Sequence, residues 1–388
     1  MPTYLAPGVY VEEIPPLARP IAGVGTSTAG FIGVVDAGVT MPPTQTVAPL
    51  NVPRLVTNWE EFKNQFGDFQ TGNLRLAVAV FGFLNNGGHT CWVVRVADAA
   101  ALGDLTVPLA ALEPIDEVAM IAAPGVTATS EKNRMMQHCL KMDDRVAVLD
   151  GINASVFAVL DINGVDITTF DKVNTYGAEY FPWLKVNNPL FTSGGAEPQF
   201  LVQPPSGHVA GVYARVDSTR GVYKAPANEA VFGVVGPDDG KQLTRNQQEN
   251  LNPKGINVIR AFGGSTIIYG GRTLGGDFNG EFRYISTRRY MNFLKESIDE
   301  GTQFVVFEPN SPALWQRVIR SVGDFLFNQW REGALFGETA KQAFFVKCDA
   351  ETNPPSVRDA GQLITEIGVA IVKPAEFVIF RIQQITGS

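Results

Sequence analysis

The run Glu376-Phe377-Val378-Ile379-Phe380-Arg381-Ile382-Gln383-Gln384 constrains this chain more than any other stretch. It is strongly strand-forming and lies near the end of the sequence, where a strand is poorly tied down unless another pairs with it. Val378, Phe380 and Ile382 share one side and Phe377, Ile379 and Arg381 the other, the period of two of a strand with two partly buried faces. A strand that apolar needs a partner. The best match by composition is at the opposite end, in Gly8-Val9-Tyr10-Val11-Glu12-Glu13-Ile14, closed by Pro15 and Pro16. Two arrangements satisfy both runs. They pair within one chain, or they are arms exchanged between copies, because a free strand edge recruits other chains.

Composition narrows the class. A chain of 388 residues exceeds one ordinary core and predicts two or three domains. No uninterrupted apolar run reaches bilayer-spanning length, which sets the membrane class aside. Met1-Pro2-Thr3-Tyr4 carries neither a basic nor an apolar leader region, so no secretion signal is expected. Cys91, Cys139 and Cys348 lie far apart without a C-x-x-C pair, which fits a reduced compartment and predicts neither a disulfide framework nor a metal site. A net charge of −8 argues against nucleic acid as a partner.

Along the chain, prolines 2, 7, 15, 16 and 20 mark residues 1–24 as an extended arm. Residues 25–97 follow as a first domain, with an apolar strand at Phe31–Val35, a helix capped by Asn58 and stopped by Gly67, a second helix over about 73–84, and a strand at Cys91–Val96. The order strand (Val118–Ala123), helix (Ser130–Met142), strand (Arg145–Asp150) predicts a βαβ unit on a parallel sheet within a domain over 98–284. Residues 151–205 read as elaborated loops, and Ser206–Val216 as a helix leading into a loop at Asp217–Glu229. Thr287 predicts the cap of a helix over Arg288–Glu300, ended by Gly301 and followed by a strand at Gln303–Phe307. Ser311 and Pro312 open a long helix to about Glu332, with Trp315, Val318, Ile319, Val322, Phe325, Leu326 and Trp330 on one stripe. Strands at Ala343–Cys348 and Leu363–Val372 complete an α+β domain over 285–372, and residues 373–388 form a second arm. The expected fold class is therefore α/β and α+β, multidomain, with extended terminal strand arms.

Six segments in order, Y-x-x-P-G-V-Y-V-E-E (Tyr4–Glu13), H-V-A-G-V-Y-A-R-V-D-S-T-R-G-V-Y-K-A-P-A-N (His208–Asn228), G-I-N-V-I-R (Gly255–Arg260), R-R-Y-x-N-F-L (Arg288–Leu294), E-G-T-Q-F-V-V-F-E-P-N (Glu300–Asn310) and K-P-A-E-F-V-I-F-R-I (Lys373–Ile382), resemble those of contractile tail sheath proteins of phage tails and phage-tail-like injection systems. The resemblance implies a structural protomer that polymerises as a helical sleeve around a rigid inner tube and contracts, driven by energy stored during polymerisation rather than by a nucleotide or other cofactor. It implies a subtilisin-like α/β domain over 98–284 and a tube-facing domain over 285–372. It also implies arms that add strands to neighbours, carried by Val9, Tyr10, Val11, Glu12, Phe377, Val378, Ile379, Phe380, Arg381 and Ile382. Arg283, Arg288 and Arg289 read either as a solvated helix start or as contacts to the tube or a neighbour. Arg317, Asp324, Asn328 and Arg331 form the polar face of the long helix and are further candidate contacts. The implied partners are other copies, an inner tube protein, and baseplate and terminator or cap proteins, with neither nucleic acid nor membrane insertion. Assembly would be cytoplasmic, in a particle that is free, released or membrane-anchored. A sheath paralogue capping the sleeve or linking it to the baseplate fits the same residues.

A subtilisin-like domain raises the question of hydrolysis. Gly25-Thr26-Ser27-Thr28-Ala29, Val35-Asp36-Ala37-Gly38-Val39 and Gly207-His208-Val209-Ala210-Gly211 mimic pieces of the subtilisin motifs, but Ser27 precedes Asp36, and none of His89, His138 and His208 stands in an H-G-T-x-V context. No catalytic residue is expected. The pairs Gly263-Gly264, Gly270-Gly271 and Gly275-Gly276 lack a following G-K-[ST] and read as turns rather than a phosphate cradle.

Overall fold

The structure, a computed structural model, describes residues 20–153, 170–239, 243–379 and 381. The expected N-terminal arm residues Val9, Tyr10, Val11 and Glu12 lie outside the described residues, as do Phe380 and Ile382. Packing divides the chain into a larger unit, Gly23–Glu296 with the described residues after Ala370, and a smaller unit, Ser297–Ala370 with the described residues before Gly23.

Phe31 and Ile32 are consecutive in β1 (Ala29–Val34), fully buried, and packed into different cores of the larger unit. That is the signature of a strand covered on both faces. With β2 (Arg54–Val56), β3 (Cys91–Val96), β4 (Met120–Ala122), β5 (Val146–Asp150) and β6 (Gly177–Phe181) it forms part of a nine-stranded sheet. The register sets Ala29 opposite Cys91 on one side and Met120 on the other. A separate antiparallel sheet, in the order β10-β7-β8, is made by β7 (Leu184–Asn187), β8 (Phe200–Gln203) and β10 (Val234–Pro237). The large sheet is completed by β9 (Glu229–Ala230), β11 (Ile256–Phe262) and β12 (Ser265–Tyr269), giving the order β2-β3-β1-β4-β5-β6-β11-β12-β9. From β3 to β11 every pairing is parallel, and the edge strands are antiparallel. The segments read as separate domains, 25–97 and 98–284, thus share one sheet.

Helices cover both faces. After α1 (Trp59–Phe66), capped by the Asn58 side chain and closed by Gly67 at φ 80°, comes α2 (Leu74–Asn85). On the opposite face lie α3 (Thr106–Leu112) and α4 (Thr129–Met142), whose Leu109, Met135 and Met136 pack with Ile32 and Val94. The helix α5 (Ser206–Arg220) returns to the α2 side with Val209, Val212 and Tyr213 in the core of Phe31 and Phe83. The helices α2 and α5 approach closely because Gly207 and Gly211 present no side chain: a Cβ on either would strike the main chain of Ala79 or Phe83.

Residues 151–205 are more regular than expected. Gly177–Phe181 is a central strand, buried throughout, although Glu179 breaks its apolar run. The acid is tolerated there because Lys132 of α4 meets it at 2.7 Å with both side chains buried. Helix α5 likewise continues past Asp217 to Arg220, and the short helix α6 (Arg245–Leu251) precedes β11.

The division between the units falls within α7 (Ile285–Thr302), which starts before the expected cap Thr287 and runs past Gly301. Gly301 lies inside the helix rather than past its end, and Ile21 occupies the space a side chain there would need. The strand expected at Gln303–Phe307 is instead a 3-10 turn over Gln303–Val305, with Phe307 at φ 65°. In the smaller unit α8 (Pro312–Arg331) begins as the sequence predicts, with the Ser311 side chain accepting from Leu314 N, and buries Trp315, Val318, Val322, Phe325 and Leu326. The last two strands, β13 (Phe344–Lys347) and β14 (Glu366–Val369), pair antiparallel. The second is shorter than the expected Leu363–Val372, because the Asn353 side chain takes both main-chain groups of Ile364 (2.9 and 2.7 Å) before the ladder begins. Of the expected terminal strand, the described residues 376–379 and 381 have no regular structure. No described helix is long and apolar enough to cross a membrane.

Candidate assembly surface

Glu376 departs from the apolar pattern of its neighbours, and three side chains of the larger unit converge on its carboxylate. Arg272 donates from Nε (2.9 and 3.1 Å) and Nη2 (2.7 Å), Asn252 from Nδ2 (2.7 Å) and Tyr284 from its hydroxyl (2.9 Å). Burial alone would raise this carboxyl; the hydrogen bonds from Arg272, Asn252 and Tyr284 and the Arg272 charge outweigh it and hold the pKa below the usual glutamate value. The next residues, Phe377, Val378 and Ile379, are 69, 70 and 77% exposed. Three consecutive apolar side chains left in water after a fixed acid are an unpartnered surface.

The smaller unit offers a matching feature. Among the described residues, β13 and β14 pair only with each other, in a register running from Phe344–Val369 to Lys347–Glu366. Two strands alone are marginal in water, and among the described residues no third strand pairs with either outer edge. The ring of Phe345 lies over Gly368 on the neighbouring strand yet remains 57% exposed. Phe336, whose N–H donates to Ala370 O at 2.7 Å just beyond β14, is 73% exposed.

The charged candidates divide. Arg288 and Arg289 are buried, which corrects their reading as surface contacts. Arg288 is sandwiched between the rings of Phe282 (3.6 Å) and Tyr176 (4.2 Å) and donates to Thr175 Oγ1 at 2.8 Å, while Arg289 pairs with Asp217. Arg283 is half-buried and 3.3 Å from Asp277. On α8, Arg317 is half-buried beside Glu308 (3.6 Å), and Asp324, Asn328 and Arg331 are exposed. Sequence reasoning missed Asn252, Arg272 and Tyr284, whose only signal was the acid in K-P-A-E-F.

The subtilisin-like fragments do not assemble into a relay. His208 is buried on α5 against Gly82, its Nδ1 has no hydrogen-bond partner among the described residues, and burial lowers its pKa to about 4. In a serine-hydrolase relay that nitrogen donates to a carboxylate. A different serine meets an acid at the end of β5: Ser206 donates to Asp150 from N and Oγ (both 2.8 Å), and Gly125 N adds a third bond at 2.9 Å. Both residues are buried, and the contact ties the start of α5 to the sheet.

Comparison with known proteins gives this surface its context. The phage tail sheath protein central domain matches residues 99–274, and the phage tail sheath C-terminal domain matches 277–385. The chain belongs to the contractile tail sheath family. Among sheath relatives, the tail sheath protein of Vibrio phage KVP40 is 27% identical over 179 residues, 46% of this chain and 25% of its own length. The matched stretch thus spans a quarter of that relative. Solved structures match more fully. The PVC sheath complex of an extracellular contractile injection system, in its contracted state, is 28% identical, with TM-score 0.75 and 99% of both chains covered. A chain of the anti-feeding prophage baseplate is 28% identical, with TM-score 0.73 and 99% of this chain and 100% of that one covered.

Proposed function

We propose that this chain is a sheath protomer that polymerises with its own copies as a helical sleeve around an inner tube and contracts to drive that tube through a target envelope. The observation that carries the reading is the pair of unpartnered features: a two-stranded sheet with open edges, and an apolar run at residues 377–379 left exposed beyond a fixed Glu376. One copy's arm added to another copy's β13–β14 sheet would satisfy both, by strand addition. The arms at 1–24 and 373–388 are the links, and 285–372 is the tube-facing domain. The parallel sheet with helices on both faces supports a subtilisin-like architecture for 98–284, without hydrolysis. Exposed Asp324, Asn328 and Arg331, with Arg283 and Arg317 at half-buried positions, remain the candidate tube or neighbour contacts.

Contraction in this reading needs no cofactor. The extended sleeve is metastable and held at a baseplate, and release replaces one set of domain contacts with a better one while the arm ladders persist. Baseplate, terminator and tube proteins are the further partners, in a particle assembled in the cytoplasm as part of a phage tail or tail-like device.

Negative-stain electron microscopy of the full chain, of a chain lacking 1–15 and of one lacking 375–388 tests the proposal. Wide hollow cylinders from the full chain and soluble monomers from either truncation support it; monodisperse monomers in all three, with or without a tube protein, overturn it. The similarity to a baseplate chain favours a second reading, a paralogue linking sleeve to baseplate. That reading predicts short rings of fixed height instead of cylinders of varied length.

A further inference from the structure

We propose that Arg272 is the positioning residue of the C-terminal arm: it grips Glu376 so that the arm leaves the larger unit at one fixed point and reaches its acceptor strand in one register. The inference rests on the strand-exchange reading above for its purpose, but not for its geometry.

The grip is prebuilt. Arg272 is 3% exposed, and its main chain is held on both sides by Asn257 of β11, whose Oδ1 accepts from Arg272 N at 2.7 Å and whose Nδ2 donates to Arg272 O at 2.8 Å. A bridge to Tyr284 fixes the same residue from the other direction. Its guanidinium is then divided: Nη1 donates to Asn252 O (3.0 Å) and Asp277 Oδ1 (2.9 Å), leaving Nε and Nη2 as a fork for the Glu376 carboxylate. A two-pronged contact between planar groups fixes orientation as well as distance, which a lysine could not do.

Its place in the chain gives the grip its meaning. Upstream, Lys373 pairs with Glu281 at 2.8 Å, but those side chains are 46 and 82% exposed, and such pairs hold weakly. Downstream, Phe377–Ile379 are mostly in water. Glu376 is therefore the last firm attachment before the apolar run. Without it, the arm would gain three residues of slack from Lys373, roughly 10 Å at about 3.3–3.6 Å per residue. That exceeds the two-residue step by which a strand can slip while keeping the same side chains on the same face. A sleeve whose links can slip has no single subunit spacing.

The test uses the full chain with Ile379→Cys. All three native cysteines are buried, so a nitroxide reagent labels residue 379 selectively. Electron paramagnetic resonance of unassembled protein is compared in the Glu376, Glu376→Gln and Glu376→Ala backgrounds, with melting curves confirming the fold. The expected result is a several-fold shorter rotational correlation time in Glu376→Ala, an intermediate value in Glu376→Gln, and a single cooperative melting transition in all three. Identical spectra in all three overturn the proposal. A second readout is the spread of subunit rise in assembled sleeves, expected to broaden in Glu376→Ala; sharp, wild-type helical order also overturns it. Failure of the unaltered chain to form sleeves would instead count against the sheath-protomer reading, while the spectra still decide the grip.

Discussion

Arg289 and Asp217 face each other through two parallel hydrogen bonds, Nη1 to Oδ1 at 2.8 Å and Nη2 to Oδ2 at 2.5 Å, with both side chains buried. Thr26 joins them: its Oγ1 donates to Asp217 Oδ2 at 2.7 Å, and its carbonyl accepts from Arg289 at 3.0 Å. The pair thus ties α7 to α5 and to the entry of β1. A charge inside a core is tolerated when it is paired and hydrogen-bonded, as the two-pronged contact and Thr26 make this pair.

Removing one partner strands the other charge. Arg289→Met is expected to lower the stability of the larger unit by about 3–5 kcal/mol, read as a shift of the urea midpoint at constant slope. The double variant Arg289→Met, Asp217→Leu should recover most of that loss. No recovery would mean that the arginine acts by packing on Tyr213, whose ring centroid lies 4.7 Å below it.

Asp150 predicts a pH dependence of unusual sign. Burial pushes its carboxyl up to about 6 despite the bonds from Gly125 and Ser206. In the unfolded chain it titrates near 3.9. Between these values the folded state holds more protons than the unfolded one, so Asp150 makes stability fall as pH rises from about 4 to 6. Asp150→Asn, which keeps an acceptor for Ser206 N, should flatten the stability–pH curve across that interval and leave it unchanged above. An unaltered slope would show that Asp150 does not titrate there.

The close approach of α2 and α5 is equally testable. Gly211→Val places branched carbons against the Phe83 main chain, which cannot yield without displacing α2. A loss of more than about 3 kcal/mol, or insoluble expression, is the expected outcome, at the high end for overpacking. Gly236, where a Cβ would meet nothing, is the control, and Gly236→Ala should be close to neutral.

What was legible in the sequence was what depends on near neighbours. Asn58 with Gly67, Ser311 with Pro312, the stripe of α8 and the β4–α4–β5 order were all readable, because caps and periodicity act within a few residues. What was hidden depends on partners far along the chain. Gly177–Phe181 did not read as a central strand because Glu179 is neutralised by Lys132 on another element. Arg288 and Arg289 looked like a surface pair because Tyr176 and Asp217, which bury them, are distant in sequence. The terminal strand was legible as an apolar run, but its described residues Glu376–Ile379 have no regular structure.

If β13–β14 accepts an arm, the exposed face of Phe345 is part of the seat. Phe345→Lys puts a charge where an incoming strand would lie, a change known to blunt edges, while its stem can still cover Gly368. The expected result is a folded monomer, with melting shifted by only a few degrees, whose cylinders are lost or at least tenfold fewer by particle counting. Undiminished assembly would remove β13–β14 as the acceptor.

Acid should loosen the arm before it unfolds the protein. Glu376 faces Arg272, Tyr284 and Asn252, with Asp277 on the far side of the guanidinium, and its folded pKa is depressed below the ordinary value of about 4.3. A depressed carboxyl stabilises its contact above the unfolded value and loses that contribution as pH falls through the folded one, so the grip is complete at neutral pH and fails only under acid. A nitroxide at residue 379 should therefore keep one spectrum from pH 7 to 5 and become mobile only in more acid solution, below the ordinary glutamate value. In Glu376→Gln, which has no proton to gain, the spectrum should not change with pH over that range. If the glutamine chain showed the same acid transition, the loosening would belong to another group, and Asp277 on Arg272 would be the next to replace.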